Sequence, residues 1–308
     1  KRLIYAVAGS GKTSYIVENL SIEKRSLIIT YTRANYANIS SKICEKFNGS
    51  QPKNITLMSY FSFLYNFCYK PFLADEINAK GIIYEANPVK YCKMDHNDFY
   101  LSTDRYFYSN RLSLFLEREV LSEIKVRIEK YFDELIIDEV QDIAGRDFNF
   151  LEKLMSTNVN MLFVGDFFQH TFDTSRDGPV NENLYKDKSI NELRFTKKGL
   201  SIDKTTLIKS WRCSQNVCEF IRDNLGIVIY SKRPAEDNTE IVGISDVDQR
   251  DQIINDNQIV KLHYQNAVKA GDGHRNWGET KGEDNYQDVC VLLNKNTSTL
   301  WRKNRLID

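Results

Sequence analysis

The sequence predicts an α/β fold built on parallel sheets, and three observations predict it. Short apolar runs such as LIYAVA at 3–8, SLIITY at 26–31 and ELIID at 134–138 lack the polar alternation of a half-solvated strand. Helical patterns separate the first of these runs, as in TSYIVENL and RANYANISSKICEKF. A glycine-bearing turn, AGSGKT, joins the first run to the first helix. Strands covered on both faces by crossover helices read in this way.

Taken in order, the run at 3–8 is a strand, the turn follows it, and TSYIVENL is a helix. A second strand and helix follow at SLIITY and RANYANISSKICEKF, and ITLMS at 55–59 is a third strand. From about 66 to 132 the chain is rich in Tyr and Phe with no clean period, which reads as an insertion. It ends in a helix, because Leu116, Val120, Ile124, Ile128 and Tyr131 recur at about four-residue spacing. The rhythm then resumes with ELIID, a helix over RDFNFLEKLM, and NMLFVG at 160–165. The polar stretch DTSRDGPVNENLYKDKSINELRFTKKG reads as a loop or linker. Beyond it TTLIKS, IVIY, EIVGIS, QIVKLH and DVCVLL are strand-like, and SQNVCEFIRDNL is helix-like. The expected organisation is a first domain over 1–203 and a second over 204–308.

Composition narrows the function classes. The 308 residues carry 42 basic and 42 acidic side chains, so overall charge gives no reason to expect nucleic acid or an acidic membrane as partner. A local bias exists in residues 1–60, which hold nine Lys or Arg against three Glu. Six scattered cysteines without a C-x-x-C pair argue against zinc and against a disulfide scaffold, and fit a reducing cytoplasm. No apolar run reaches the roughly 18 residues of a membrane span, so no membrane partner is expected.

Four stretches carry chemistry. In AVAGSGKT, a strand, two glycines and a helix start turn backbone N–H groups and a positive helix end toward an anion. Ala8, Gly9, Ser10, Gly11, Lys12, Thr13 and Ser14 are the candidate cradle, with Lys12 toward the β- and γ-phosphates and Thr13 toward Mg²⁺. In IIDEVQD, Asp138 at a strand's end suits Mg²⁺ and Glu139 suits polarising an attacking water. In LFVGDFFQHTF, Gln169 follows a buried strand, and its amide suits bonding to both phosphate and water. In LIKSWRCSQN, Arg212 precedes a helix, where a guanidinium suits the charge developing on a γ-phosphoryl group. For each residue a plain alternative exists: a chance turn, a solvated carboxylate, a surface amide, or an arginine bonding a nearby carboxylate.

Together these stretches resemble superfamily 1 helicases of the UvrD, Rep and PcrA type. That family's first motif is commonly A-x-x-G-x-G-K-T, which Ala6 fits, and its T-[FY]-T, T-[FY]-x-S, DE[FVY]QD, VGDxxQ and Tyr-Arg-Ser segments are similar to ITYT, LMSYFSF, DEVQD, VGDFFQ and WRCSQN. WGETKGEDNYQDVCVLL is similar to the fifth motif. The resemblance implies two RecA-like domains with ATP in the cleft between them, Mg²⁺-dependent hydrolysis, and single-stranded DNA across both domains. It implies catalytic roles for Lys12, Glu139, Gln169 and Arg212, metal ligation by Thr13 and Asp138, and nucleotide contacts from Arg33, Gly282 and Asp284. It implies DNA contacts from Tyr31, Thr32, Tyr60, Phe61 and Phe172, although a core role for the aromatics is an equal alternative.

Departures from the pattern shape the expectation. Only five residues precede Ala6, where the family carries a Gln-containing segment that reads adenine. The chain ends at Asp308, before the family's sixth motif, and is too short for the large accessory domain of processive members. A compact helicase or translocase on single-stranded DNA is the expected function. The alternatives are a regulatory ATPase partnered with a nuclease or another defence-system subunit, a nucleotide-binding module without catalysis, and a small-molecule kinase built on the same phosphate loop, against which the Gln169 and Arg212 segments argue.

Overall fold

The computed structural model describes residues 1–89, 92–170, 174–175, 178–237, 239–280, 286–303 and 306. The chain divides into two units, Lys1–Ile208 and Lys209–Asp308. The first unit opens with β1 (Arg2–Tyr5), α1 (Lys12–Glu18), β2 (Ser26–Thr30), α2 (Arg33–Lys46) and β3 (Ile55–Ser59). The aromatic-rich segment follows as α3 (Tyr60–Ser62), a π-helical stretch (Phe63–Tyr69), α4 (Lys70–Ile77), β4 (Gly81–Ile83), β5 (Tyr106–Tyr108), α5 (Ser109–Glu119) and α6 (Leu121–Tyr131). Then come β6 (Glu134–Asp138), α7 (Gly145–Leu154), β7 (Asn160–Gly165), α8 (Lys188–Thr196) and β8 (Ser201–Asp203).

Six strands form one sheet in the order β3-β2-β6-β7-β1-β8, and every pairing is parallel. Strand alternation divides the core into two layers. Leu3, Leu27, Ile29, Leu135, Ile137 and Phe163 face one layer, packed against the helices of the aromatic-rich segment and α7. Ile4, Ile28, Ile136 and Val164 face the other, packed against Ile16 of α1 and Ile39 and Ile43 of α2. Continuous apolar strands are therefore what this sheet requires, because neither face meets water.

Two expectations for this unit change. The helix expected through Leu116 and Tyr131 is two helices, because Val120 leaves helical geometry at φ −141° and ψ 25° while Leu116, Val120, Ile124 and Ile128 stay buried. The stretch expected as a linker contains α8, and β8, which no strand-like run announced, follows it. Asp187 caps α8 by accepting from the N–H groups of Ser189 and Ile190 at 2.8 and 3.4 Å. Phe195, 1% exposed, anchors that helix against Phe148 and Phe163 at ring separations of 5.4 and 6.3 Å. Burying one phenylalanine contributes about 2 kcal/mol, enough to hold a short helix that the polar sequence around it concealed.

The second unit holds β9 (Lys209–Ser210), α9 (Gln215–Leu225), β10 (Tyr230–Ser231), α10 (Val247–Asn255), β11 (Val260–His263), β12 (His274–Asn276), β13 (Val289–Val291) and α11 (Lys295–Arg302). β9 and β10 pair in parallel, and β12-β11-β13 form a second parallel sheet. EIVGIS at 240–245 takes no strand geometry, and Ile241, Val242 and Ile244 are exposed. β12 is too short and polar, HRN, to stand out in sequence. Among the described residues no helix is long and apolar enough to cross a membrane.

Candidate active site

The carboxyl edge of the six-stranded sheet positions the candidate residues. In open α/β sheets ligands bind beyond the carboxyl ends of the strands, where helix N-termini gather. β1 ends at Tyr5, and the turn from Ala6 to Gly11 is fixed by backbone bonds from Ala6 N–H to the Gly165 carbonyl at 2.8 Å and from Val7 N–H to the Leu207 carbonyl at 2.9 Å. Gly9 and Gly11 take positive φ values of 68° and 86°, which residues with a Cβ resist. Gly11 is the N-cap of α1, so Lys12 and Thr13 begin that helix. Ser10 is 3% exposed and its Oγ lacks a protein partner. Ser14 Oγ accepts from Lys42 Nζ at 3.1 Å, tying α1 to α2.

Asp138 ends β6 beside this turn, 2% exposed, with Oδ1 unpartnered. Burial and the neighbouring Glu139 charge push its carboxyl above the usual range, while Lys12 pulls it back. Glu139 takes left-handed backbone geometry at φ 54° and ψ 48°, a conformation that costs a non-glycine residue about 1 kcal/mol or more. That turn brings Glu139 Oε1 to 3.5 Å from Lys12 Nζ, with the two side chains 14% and 11% exposed. Two strands distant in sequence thus place a cation and two carboxylates together. An unsatisfied buried carboxylate oxygen, an unsatisfied buried hydroxyl and a lysine fit a magnesium-bound phosphate: Thr13 and Asp138 would hold the metal, and Ser10 and Lys12 the phosphate.

Gln141 is the member of this site that sequence reasoning missed. Its Nε2 donates to Glu139 Oε2 at 2.6 Å and its Oε1 accepts from Asp166 N–H at 3.1 Å. It therefore joins the DEVQD turn to the VGD turn after β7. Gly165 is required for this approach, since a Cβ there would stand 2.4 Å from Gln141 Oε1 and 2.8 Å from Val140 Cγ1. Gln169 closes the short helical turn Phe167–Gln169, its N–H donating to the Asp166 carbonyl at 3.0 Å. His170 stacks on Tyr185 at 4.2 Å, and Tyr185 Oη donates to the Ile143 carbonyl at 2.9 Å, so the two turns are braced from outside as well. The signal for Gln141 was its place two residues after Glu139 within the motif.

The other expected residues separate. Arg33 opens α2 and is exposed. Thr32 caps the same helix, its side chain accepting from Asn35 N–H at 3.1 Å. Tyr31 and Phe61 are half-buried, with ring centroids 5.9 Å apart. Tyr60, expected to face DNA, is instead 3% exposed and fully enclosed in the core, so its face is not offered to a base. Its hydroxyl faces Asp147, a carboxylate at 0% exposure. Burial pushes Asp147 up to about 6, opposed by the hydroxyls of Ser113, Thr174 and Tyr60, which lie near it short of full hydrogen-bond geometry. No feature of the sequence marked Asp147. Arg212 belongs to the second unit, where its N–H donates to Ser210 Oγ at 3.1 Å and its carbonyl accepts from Arg233 at 2.9 Å. Phe172, Gly282 and Asp284 lie outside the described residues.

Neither a protein-family model nor a curated protein matches the chain. Among solved structures, Pif1 of a Bacteroides species in complex with ADP-AlF4 is similar at a TM-score of 0.37 and 17% identity, over 87% of this chain and 51% of that one. The arterivirus nonstructural protein 10 helicase in complex with DNA is similar at a TM-score of 0.51 and 13% identity, over 98% of this chain. This chain spans 63% of the length of the arterivirus protein. The six-stranded parallel sheet, with its phosphate-type turn and acidic turn at one edge, accordingly belongs to an α/β fold shared with the arterivirus helicase.

Proposed function

We propose that this chain is an ATP-hydrolysing motor that moves on single-stranded DNA with Mg²⁺, in the manner of superfamily 1 helicases of the UvrD, Rep and PcrA type. The observation that carries the reading is the meeting of Lys12 and Glu139, 3.5 Å apart, beside buried Asp138 at the sheet's carboxyl edge. A bound magnesium ion would neutralise charge on the phosphate oxygens. The chain's own residues do the rest. Backbone N–H groups of the Gly9–Gly11 turn and Lys12 would bind the phosphates, and Glu139 would polarise the attacking water. Gln141 would hold Glu139 in its orientation and transmit the state of the VGD turn, where Gln169 would sense the γ-phosphate. Arg212 is proposed to stabilise charge on the transferring group, and the two units to act as two RecA-like domains. The fold shared with the arterivirus helicase, which was solved with DNA, supports the nucleic-acid assignment.

The test is ATP hydrolysis with and without single-stranded DNA. The expected outcome is stimulation by DNA, with hydrolysis abolished in Lys12→Ala and Glu139→Gln and ATP binding retained in Glu139→Gln. Hydrolysis that DNA leaves unchanged refutes the motor and favours a regulatory ATPase acting with a partner such as a nuclease.

A further inference from the structure

We propose that Tyr84, supplied by the segment inserted after β3, is a base-stacking platform for single-stranded nucleic acid. The inference rests on the motor reading above and extends it to a residue that no motif marks. Tyr84 follows β4 and is 71% exposed. Its ring meets Phe61 edge to face at 5.2 Å and 84°, and Phe61 in turn lies 5.9 Å from Tyr31 and 5.5 Å from Tyr60. Tyr31 and Phe61 follow β2 and β3, neighbouring strands whose carboxyl ends share the edge that carries the candidate site.

A single exposed aromatic residue on a protein surface needs no explanation. Here four rings form a continuous series from the fully enclosed Tyr60 through the half-buried Phe61 to the exposed Tyr84. Such a series fixes the outer ring by its contact with Phe61 while leaving most of its surface open. A platform for stacking requires both: a ring already ordered, so that little entropy is lost on binding, and a free face. Exposed Arg33, two residues after Tyr31 on α2, supplies a cation for the backbone of a strand lying along these rings. The aromatic character, the nearby cation and continuity with the sheet edge favour single-stranded nucleic acid over a protein partner.

The experiment measures binding of a labelled oligothymidine to the whole chain by fluorescence anisotropy, for wild type, Tyr84→Ala and Tyr84→Trp, together with hydrolysis of ATP without DNA. Tyr84→Ala is expected to weaken binding about tenfold, whereas Tyr84→Trp retains it. Hydrolysis without DNA and the slope of affinity against salt stay unchanged, because stacking releases no counterions. If the wild type binds and is stimulated while Tyr84→Ala binds equally well, the platform is refuted, the motor stands and the rings belong to a protein-facing surface. If the wild type neither binds nor responds to DNA, both the motor and the platform fall.

Discussion

Asp147→Asn isolates the energetic cost of one buried charge. The Asp147 carboxyl is fully enclosed and held at about 6 against an ordinary 3.8, chiefly by burial. Because the folded value is raised, the folded chain keeps a proton that the unfolded chain has released in the window between 3.8 and about 6. The stability from this group is therefore complete below 3.8 and falls as pH rises through the window. Converted at 1.36 kcal/mol per pH unit, the charged form costs about 3 kcal/mol at neutral pH. Asparagine is neutral throughout, matches the shape, and keeps an oxygen for the hydroxyls of Tyr60, Ser113 and Thr174. The variant is then more stable than wild type by up to about 3 kcal/mol above pH 6.5 and by about 1 kcal/mol at pH 4.5.

All three tryptophans, Trp211, Trp277 and Trp301, belong to the second unit, so the readout is taken from the first unit itself. Amide hydrogen exchange of α7 supplies it, and at each pH the ratio of variant to wild-type exchange cancels the intrinsic rate. The expected ratio corresponds to exchange slowed about a hundredfold at neutral pH and severalfold at pH 4.5. A variant that exchanges faster than wild type at neutral pH, or a ratio independent of pH, would refute the assignment of Asp147 as an uncompensated buried charge.

Two further outcomes follow, the first from the site geometry and the second from the role proposed for Arg212. Gly165→Ala places a Cβ 2.4 Å from Gln141 Oε1 and displaces that side chain; kcat for ATP is expected to fall about a hundredfold, as misplaced catalytic groups do, with ATP affinity nearly unchanged. A steady-state assay beside a nucleotide-binding titration checks this, and equal loss in both contradicts Gln141 as a positioning residue. Arg212→Ala is expected to lower kcat about a thousandfold while ATP affinity changes little, if its guanidinium acts on the transition state as proposed; pre-steady-state hydrolysis beside nucleotide titration measures the split, and equal losses refute it.

The sequence by itself determined five of the six strands of the first sheet and the residues that gather at its carboxyl edge. Runs such as LII at 27–29 and LII at 135–137 show no polar alternation because both faces of a parallel sheet are covered, so they were legible without coordinates. The glycines of AVAGSGKT were legible because positive φ demands them, and Asp138 and Glu139 because an acidic pair closes an apolar strand. What lay outside the sequence were relations between segments that only folding brings together. α8 was hidden because one buried phenylalanine holds it, and a single apolar residue leaves no period to detect. Tyr60 and Phe61 are adjacent and alike in sequence, yet the turn after β3 sends one ring into the core and leaves the other against Tyr84, supplied by a separate segment of the insertion. Gln141 and Gly165 belong to two motifs whose side-chain contact exists only because β6 and β7 are neighbours. Asp147 is one more acid on a helix in sequence and becomes a buried, uncompensated charge only through tertiary packing. Local patterns record burial and backbone geometry residue by residue; which side chains meet depends on strand order and packing.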